Sequence, residues 1–522
     1  MLNIFKTARS SFLLALLVVL YDYCNGVSES STRKSSFYNQ PFARFGRLHN
    51  DLMNNLIKRK HFTMGKGSRE NNATLLELKA YPQVATHWIS QRIDHFSQTD
   101  QRKYDQRFMY NMEFYNDSGL AFLLVGGEGE IVQQWLGIPS SPVLIWAKKY
   151  GAVCFLLEHR FFGKSQPFKD VSVENFQYLS VNQALADLKN FIEIMTKTFF
   201  WDVKKPRFVL FGESYSGALA AWFRATNEDL TTAAIVSSGV VQARVNHYDY
   251  YKNVEDILKE ESSKCAEAIQ LGMEEIMSKI YTLNGRLELA EVFDICDPFP
   301  EPPTHSVVQH FFGSILFVFG QSVQYSKQRS LSGILEICSA MVNGSEESYM
   351  KRIRDAWNIF EEKKESECRD LNYETYLKNR DDLNWFWLSC TEFGFFPTTD
   401  NGKSIFGSSL PLSLYINECM SAFGGQNDAE YVRNGVHKTL LKYGGNDNYN
   451  GTRTVFVNGS NDPWKSLCCL NCNDTVREVY SVLIEGSHAM DTVPIDLNDS
   501  ESLRYARAFV DNKLEMFIKQ SF

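Results

Sequence analysis

The chain has 522 residues, of which 44% are hydrophobic, and a formal net charge of −8 at pH 7. This length exceeds the roughly 250–300 residues at which one hydrophobic core stops growing, so we expect two structural units or one large elaborated domain. Acidic and basic residues are spread along the chain and the sequence pI is about 5.8. These values exclude the basic surface that is typical of nucleic-acid binding.

The first residues have the layout of a secretory signal peptide. Lys6 and Arg9 precede an apolar run at 12–20, and small or polar residues follow around Cys24. We therefore predict that residues 1–26 are removed and that the protein is secreted, lysosomal or endosomal. This run and the apolar stretch at 311–320 are both shorter than the roughly 20 residues that cross a bilayer, so no membrane span is expected in the mature chain.

Residues 27–80 are rich in Ser, Asn, Lys and Arg and have little apolar periodicity, which indicates a leader or propeptide-like segment. The first apolar runs typical of buried strands follow at 120–125, 152–157 and 208–211. Apolar residues at helical spacing predict an amphipathic helix at 181–196, between the second and third of these strands. Strands that alternate with helices predict a parallel sheet with crossover helices.

From 245 to 420 the pattern changes to long, charge-rich helical segments, which predict an inserted helical cap. Two further apolar strands are expected at 454–457 and 479–484, followed by a C-terminal helix at 502–519. We therefore predict an α/β-hydrolase with a mostly parallel sheet. Its first part would span 81–244 and its second part 421–522, with the cap between them.

Cysteine and asparagine patterns agree with an exported protein. Of eleven cysteines, one lies in the signal region, and the even remainder of ten suggests disulfides. The group Cys468, Cys469 and Cys472 could instead bind a metal, but no second ligand pair at zinc spacing lies near it, so no metal is expected. Seven N-x-S/T sequons predict glycosylation on surface loops. They begin at Asn72, Asn116, Asn343, Asn450, Asn458, Asn473 and Asn498.

A candidate nucleophile follows the strand at 208–211. There the sequence reads G-E-S-Y-S-G at 212–217 and then enters the helix-favouring run 218–222. A serine on a sharp strand-to-helix turn needs small neighbours two positions away on each side, because the turn brings their backbones together. Ser216 replaces the usual glycine but is also small. We therefore predict that Ser214 is the nucleophile of a hydrolase.

The other two members of a catalytic triad are expected after late strands, in the order acid and then histidine. Asp462 follows the strand at 454–457, and His488 follows the strand at 479–484. His159 precedes the nucleophile and His437 precedes the acid, so neither fits this order. The alternatives are an Asx turn before Pro463 for Asp462 and a solvated loop histidine for His488.

The loop G-G-E-G at 126–129 follows the first of these apolar strands and is expected to help to stabilise an oxyanion. The backbone N–H groups of Tyr215 and Gly127 are the predicted donors, because glycine lets the loop backbone approach the substrate. A phosphate-binding loop is the alternative, but the loop has no G-K-S/T ending and no G-x-G-x-x-G. No cofactor is therefore expected.

Eight blocks, in order, carry a family resemblance. They are I-D-H-F at 93–96, G-G-E-G at 126–129, E-H-R-F-F-G-K-S at 158–165, Q-A-L-A-D-L at 183–188, G-E-S-Y-S-G at 212–217, C-T-E-F-G-F-F at 390–396, N-G-S-N-D-P-W at 458–464 and G-S-H-A-M-D at 486–491. From about residue 85 to its C-terminus, the chain resembles the prolyl serine carboxypeptidase family, whose members include carboxypeptidases and dipeptidyl peptidases.

This resemblance implies a helical lid inserted in a hydrolase that cleaves peptides beside proline or small residues, with Ser214, Asp462 and His488 as its triad. It also implies that Trp464 forms a wall of the proline pocket, although a core tryptophan is an equal alternative for that residue. Implied disulfides join Cys265 to Cys338, Cys296 to Cys368, and Cys390 to Cys419. The partners expected are peptide substrates and, as a further option, a second copy of the chain in a homodimer.

Two positions depart from the family, which usually has glycine at Glu213 and glycine or alanine at Ser216. The elbow G-E-S-Y-x-G is shared with another group of serine carboxypeptidases, which we rank second because their G-G-P-G loop is absent. An esterase or lipase would favour an H-G-G-G loop, and a catalytically dead binding homologue would have lost a triad residue. Glu213 is expected near a substrate carboxylate or amine, and which end of the substrate is cleaved stays open.

Overall fold

The computed structural model describes residues 81–170, 172–296, 299–326, 333–344, 348–361, 368–371 and 379–521. The predicted signal peptide at 1–26, the leader at 27–80 and the sequon at Asn72 lie outside the described residues, and so does position 171.

Eight strands form one central sheet. They are β1 (Val84–Arg92), β2 (Lys103–Asn111), β3 (Leu120–Val125), β4 (Val153–Leu157), β5 (Arg207–Glu213), β6 (Ala233–Ser237), β9 (Thr454–Gly459) and β10 (Val479–Ile484), and a separate parallel pair is formed by β7 (Arg244–Asn246) and β8 (Gly394–Phe396). The order of strands in the central sheet is β1-β2-β4-β3-β5-β6-β9-β10. β1 and β2 are antiparallel to each other, and β2 is antiparallel to β4. All other pairs in this sheet are parallel.

Both faces of the central sheet are buried. In β3, Leu123 contributes to the hydrophobic core on one face, whereas its neighbours Phe122 and Leu124 contribute to the core on the other. Successive side chains in a strand point to opposite faces, so a strand that is buried on both sides must be apolar throughout. This is why the central strands are continuous apolar runs in the sequence.

Helices cover both faces of the central sheet. The part of the chain that connects β6 to β9 forms a large helical layer. The helices are α1 (Gln134–Gly137), α2 (Pro142–Tyr150), α3 (Val173–Phe176), α4 (Val181–Thr198), α5 (Ser214–Thr226), α6 (Asp249–Glu261), α7 (Ser263–Ile280), α8 (Leu283–Val292), α9 (His305–Gln324), α10 (Ile334–Asn343), α11 (Tyr349–Glu361), α12 (Arg380–Leu388), α13 (Leu412–Phe423), α14 (Ala429–Tyr443) and α15 (Glu501–Gln520). Short 3₁₀ turns lie at Glu228–Leu230, Lys465–Leu467 and Met490–Thr492, and a π turn lies at Ser389–Phe393. A mostly parallel sheet between helical layers is the predicted α/β-hydrolase fold.

One helix in the described part of the chain, α9, is long and apolar enough to cross a membrane. However, 78% of its most apolar window is buried inside the protein. It packs against α6, α10 and α11 in the helical layer. Its apolar residues at 311–320 therefore form part of the core of this layer.

Disulfides tie the helical layer together. The structure contains the three implied bonds, Cys265–Cys338, Cys296–Cys368 and Cys390–Cys419, and a further bond, Cys469–Cys472. The free cysteines of the described residues are Cys154 and Cys468, and both are buried. Two members of the three-cysteine group at 468–472 are therefore bonded to each other. Within the described ranges, no group of three or more His, Cys, Asp or Glu side chains is arranged to hold a metal ion.

Five of the seven predicted glycosylation sites are exposed, namely Asn116, Asn343, Asn450, Asn473 and Asn498. Asn458 is not. Asn458 lies in β9 and is 1% exposed, and its side-chain amide donates to the Cys469 carbonyl oxygen at 2.9 Å. A glycan would not fit there in the folded chain, so the prediction for Asn458 is wrong.

The E-H-R block at 158–160 anchors the sheet to α4 through buried charges. The Arg160 guanidinium donates to both carboxylate oxygens of Asp187, at 2.6 and 2.8 Å, and these two side chains are 0% and 1% exposed. Tyr104 and His95 also contact this carboxylate, at 2.8 and 2.7 Å. Burial alone would raise the pKa of Asp187, but the charges and hydrogen bonds of Arg160 and His95 together outweigh this effect, and the pKa is lowered.

We expect Asp187→Asn to lower the free energy of unfolding by about 3–5 kcal/mol, because it leaves the Arg160 charge buried without its carboxylate partner. Denaturant unfolding followed by circular dichroism measures this change. Asp256→Asn is the matched control, since it breaks an exposed pair with Lys252 and should cost less than about 1 kcal/mol. Equal losses in the two variants would contradict the predicted role of Asp187.

Candidate active site

The candidate nucleophile lies at a sharp turn between β5 and α5. Ser214 is the first residue of α5, and its φ is 52°, a left-handed conformation that is uncommon for a residue with a side chain. A Cβ atom on Gly212 would lie 2.2 Å from the Ser216 carbonyl oxygen. This close approach is why the turn requires glycine at position 212, as the sequence predicted.

Ser216 and Glu213 stabilise this turn. The Glu213 backbone N–H donates to the Ser216 hydroxyl oxygen at 3.0 Å, and that hydroxyl donates to the Glu213 carbonyl oxygen at 2.8 Å. The Ser216 hydroxyl therefore bonds both backbone polar groups of Glu213. The serine that departs from the glycine pattern therefore fits the turn and reinforces it.

Two packed loops bring Asp462 and His488 together. The Asn461 N–H donates to the Gly486 carbonyl oxygen at 2.9 Å, so the loops that follow β9 and β10 are in contact. The His488 Nδ1 atom lies 2.7 Å from the Asp462 Oδ2 atom. The Trp464 backbone N–H donates to the other carboxylate oxygen of Asp462 at 2.9 Å. With Nδ1–H donating to Asp462, Nε2 is the nitrogen of His488 that can take up a proton.

The charges around His488 favour its protonated form. Burial alone would lower the pKa of His488, but the Asp462 carboxylate opposes this effect, and Glu213 and Glu128 add to the opposition. The net result is a pKa above the ordinary value of 6.5. Asp462 is fully buried and His488 is 2% exposed, so water screens these interactions only weakly.

Ser214 and His488 line the same cavity. Part of the cavity wall is formed by the loop at 126–131, which contains Gly127, Glu128 and Glu130. A Cβ atom on Gly127 would lie 3.5 Å from the Ser216 Cβ, so this loop packs directly on the nucleophile turn.

One of the two predicted oxyanion donors, Tyr215, lies in the nucleophile turn, and the other, Gly127, lies in the loop that packs on it. The Tyr215 N–H belongs to the first turn of α5, where N–H groups have no partner within the helix. The Tyr215 side chain points away into the core, and its hydroxyl lies 3.2 Å from the His159 Nε2 atom. Gly127 lines the cavity, and Gly126 is held by an N–H bond to the Leu157 carbonyl oxygen at 2.8 Å.

Trp464 is not among the residues that line this cavity. It is 4% exposed and stacks on His247, with ring centroids 5.2 Å apart. Its indole N–H donates to the Gln324 side-chain oxygen at 3.0 Å. The Gln324 carbonyl oxygen in turn accepts the His488 backbone N–H at 3.0 Å. The C-terminus of α9 therefore contacts the histidine loop directly.

Sequence reasoning missed Gln324, Tyr325 and Trp135. Tyr325 and Trp135 line the cavity, and Gln324 holds the His488 loop. Nothing in the local sequence distinguishes Gln324, whose role depends on where the end of α9 lies in the folded chain. A second, mainly apolar cavity shares Trp135 and Glu213 with the first, so apolar volume adjoins the nucleophile.

Comparison with known proteins identifies the family of this chain. The sequence pattern of the family "Serine carboxypeptidase S28" matches residues 91–510. The Caenorhabditis elegans serine protease homologue F56F10.1 is 33% identical, over 84% of this chain and 86% of its own length. The human thymus-specific serine protease is 27% identical over 84% and 87% of the two chains. The mouse lysosomal Pro-X carboxypeptidase is 24% identical over 80% and 86%.

Among solved structures, a proline iminopeptidase from Mycobacterium smegmatis matches with a TM-score of 0.36 and 11% identity, over 83% of this chain and all of that one. The family match covers most of the described fold, from β1 to α15. The chain belongs to the serine carboxypeptidase S28 family and is a serine-type peptidase.

Proposed function

We propose that this peptidase is an exopeptidase that uses Ser214 as its nucleophile, His488 as its general base and Asp462 as the carboxylate that orients the base. The observation that supports this proposal best is the cavity that Ser214 and His488 share, together with the 2.7 Å contact between His488 Nδ1 and Asp462 Oδ2. A serine, a histidine and a buried carboxylate in this relation form the template of nucleophilic acyl transfer.

In the proposed first half-reaction, the His488 Nε2 atom takes the hydroxyl proton as the Ser214 oxygen attacks the scissile carbonyl carbon. The carbonyl oxygen becomes an oxyanion that accepts hydrogen bonds from the Tyr215 and Gly127 N–H groups. The intermediate then collapses, the peptide C–N bond breaks, and the His488 imidazolium gives its proton to the leaving amine. The acyl group remains on Ser214 as an ester.

In the second half-reaction, water attacks this ester while His488 takes one of its protons. The ester C–O bond breaks, the proton returns to the Ser214 oxygen, and a peptide or amino acid leaves with a new carboxyl group. Asp462 keeps its charge throughout and stabilises the imidazolium.

We further propose that cleavage takes place beside proline. The name of the mouse relative, lysosomal Pro-X carboxypeptidase, supports this proposal, as does the apolar cavity that adjoins the nucleophile. Trp464 would support the pocket from outside rather than touch the substrate, since it is not among the residues that line the cavity of Ser214. Residues 245–420 would act as a cap, consistent with Tyr325 in the cavity wall.

We propose that the protein is exported through the signal peptide at 1–26 and acts outside the cell or in lysosomes. The four disulfides support this proposal, because such bonds persist in oxidising compartments. The lysosomal location in the name of the mouse relative supports it too.

A digest of a peptide library, read by mass spectrometry, tests the proposed activity. We expect products released from one chain end, with proline enriched next to the cleaved bond, and loss of all products after treatment with an organophosphonate. Internal fragments without enrichment of proline would overturn the proposal of a proline-directed exopeptidase.

The pH dependence of kcat/KM should follow the protonation of His488. Because the base must be neutral to accept a proton, kcat/KM should fall with decreasing pH, with a midpoint above the ordinary pKa of 6.5 for histidine. This fall can be measured from initial rates between pH 4 and pH 9 at constant ionic strength, with the substrate that is found in the library. A midpoint well below 6.5 would contradict the raised pKa.

A further inference from the structure

A closed ring of hydrogen bonds contains the contact between His488 and Asp462. The Gln324 carbonyl oxygen accepts the His488 backbone N–H at 3.0 Å, and His488 Nδ1 lies 2.7 Å from Asp462 Oδ2. The other carboxylate oxygen of Asp462 accepts the Trp464 backbone N–H at 2.9 Å. The Trp464 indole N–H closes the ring, because it donates to the Gln324 side-chain oxygen at 3.0 Å.

Three members of this ring lie in the loops that follow β9 and β10, and the fourth, Gln324, comes from the helical layer. It is the last residue of α9. The last four carbonyl groups of a helix have no partner within the helix, which leaves the Gln324 carbonyl oxygen available to the His488 N–H. Because α9 has 20 residues and is mostly buried, its end is a well-packed support for a neighbouring loop.

The side-chain amide of Gln324 is held at both of its polar atoms. An indole N–H can only donate, so Trp464 requires the amide oxygen, Oε1, on its side. The Tyr250 hydroxyl also donates to Oε1, at 2.9 Å, and the amide nitrogen donates to the Tyr325 hydroxyl at 3.0 Å. Gln324 is 1% exposed, so the loss of one of these bonds leaves a buried polar group without its partner.

The ring constrains the candidate base from two sides. The Gln324 backbone holds the loop of His488, and the Gln324 side chain holds Trp464, whose N–H in turn holds the carboxylate of Asp462. All four residues are buried, so water competes only weakly for these bonds. The position of the imidazole relative to its carboxylate therefore depends on a residue outside the two loops.

We propose that Gln324 is a positioning residue of the triad, which holds His488 and Asp462 in the relation that proton transfer requires. This inference rests on the proposed function of the same site. Gln324 is not among the residues that line the cavity of Ser214, so it acts through the base and not on the substrate. The helical layer thus orients the base, in addition to contributing Tyr325 to the cavity wall.

Gln324→Met tests the inference on the full-length processed enzyme. Methionine is similar in length and flexible, but it cannot accept the indole N–H in the same way, while the backbone bond to His488 remains. We expect kcat to fall by about 10–100-fold, because displacement of a catalytic group costs on this order. KM should change by less than about threefold, since substrate contacts are kept.

Labelling by an organophosphonate provides a second measurement. The rate constant of labelling should fall by the same factor as kcat, because this reaction uses the same nucleophile and the same base. The amount of label at completion counts the folded active sites and normalises all rates.

The pH dependence separates positioning from a loss of stability. Burial lowers the pKa of His488, whereas Asp462 raises it, and Glu213 and Glu128 add to the effect of Asp462. Both glutamates lie outside the ring and remain in Gln324→Met. A weaker contact with Asp462 should therefore move the acid midpoint of kcat/KM to a lower pH than in the wild type. A residue that only stabilised the fold would leave this midpoint unchanged.

A double-mutant cycle assigns the effect to the ring. Trp464→Phe removes the same bond from its other end, so the double variant should lose no more than about threefold in kcat beyond the larger single loss. Tyr250→Phe is the matched control, because it removes another donor to the same Oε1 atom and leaves the ring closed. It should keep kcat within about threefold of the wild type. Thermal unfolding shows whether each variant folds, and Trp464→Phe alone tests kcat and the acid midpoint if Gln324→Met does not.

Wild-type kcat and an unchanged acid midpoint in both ring variants would overturn the inference. A change confined to KM would also overturn it, because Gln324 would then shape the substrate cavity through Tyr325. Additive losses in the cycle, or an equal loss in Tyr250→Phe, would show that the ring is not the cause. A wild-type enzyme that neither reacts with the phosphonate nor cleaves peptides would instead overturn the proposed function, and the inference with it.

Discussion

Ser214→Ala should lower kcat by about 10⁶-fold and abolish labelling by an organophosphonate. The alanine variant keeps the turn at Gly212 but has no oxygen to attack the carbonyl carbon, so no ester can form. Steady-state hydrolysis of the preferred peptide and mass spectrometry of the labelled protein measure the two effects. The far-ultraviolet circular dichroism should not change, because the hydroxyl is not needed to close the turn.

Ser278→Ala is the matched control. Ser278 lies exposed on α7, and its hydroxyl donates only locally, to the Glu275 carbonyl oxygen at 2.7 Å. This variant should keep full labelling and turnover. A Ser214→Ala variant that retained more than about one hundredth of the wild-type kcat would show that another residue is the nucleophile.

Asp462→Asn should lower kcat by about 10⁴-fold with little change in KM. The amide has the shape of the carboxylate and can still accept the Trp464 N–H, so the loop should keep its conformation. It can, however, donate to His488 Nδ1, which places the proton on Nε2, where the base must be unprotonated. The variant also removes the main charge that raises the pKa of His488.

The measurements are kcat between pH 5 and pH 9 and a thermal unfolding curve. Asp202→Asn, in the exposed loop after α4, is the charge-matched control and should leave both unchanged. A loss of kcat below about tenfold in Asp462→Asn, with the Asp202 control normal, would exclude the proposed role of Asp462 in orienting the base.

Sequence analysis predicted the central strands well because each is buried on both faces. The runs at 120–125 and 479–484 coincide with β3 and β10. Two kinds of strand were missed. In β1, residues 86–88 are exposed, so this strand lacks a continuous apolar run. β6 is only five residues long and begins with two alanines, which do not distinguish a strand from a helix.

The parts of the candidate site that depend on only a few neighbouring residues could be predicted from the sequence. The sequence shows a serine between two glycines, an aspartate and a histidine after late strands, and the order of the three along the chain. Gln324 was not visible, because its bond to the His488 loop joins positions 164 residues apart. The buried sequon at Asn458 was misread for the same reason, since only the sheet places that side chain inside.

The sequence by itself determined the fold class and predicted the reactive groups, because strand burial and the steric demands of a nucleophile turn act over a few neighbouring residues. Only the tertiary structure decided what surrounds those groups. It places Glu128 and Glu213 in one cavity with Ser214, pairs Glu130 with Arg107, and withdraws Trp464 into the core. Interactions between such charges act through space, and their strength depends on burial. The electrostatic field at the active site is therefore set by the tertiary structure.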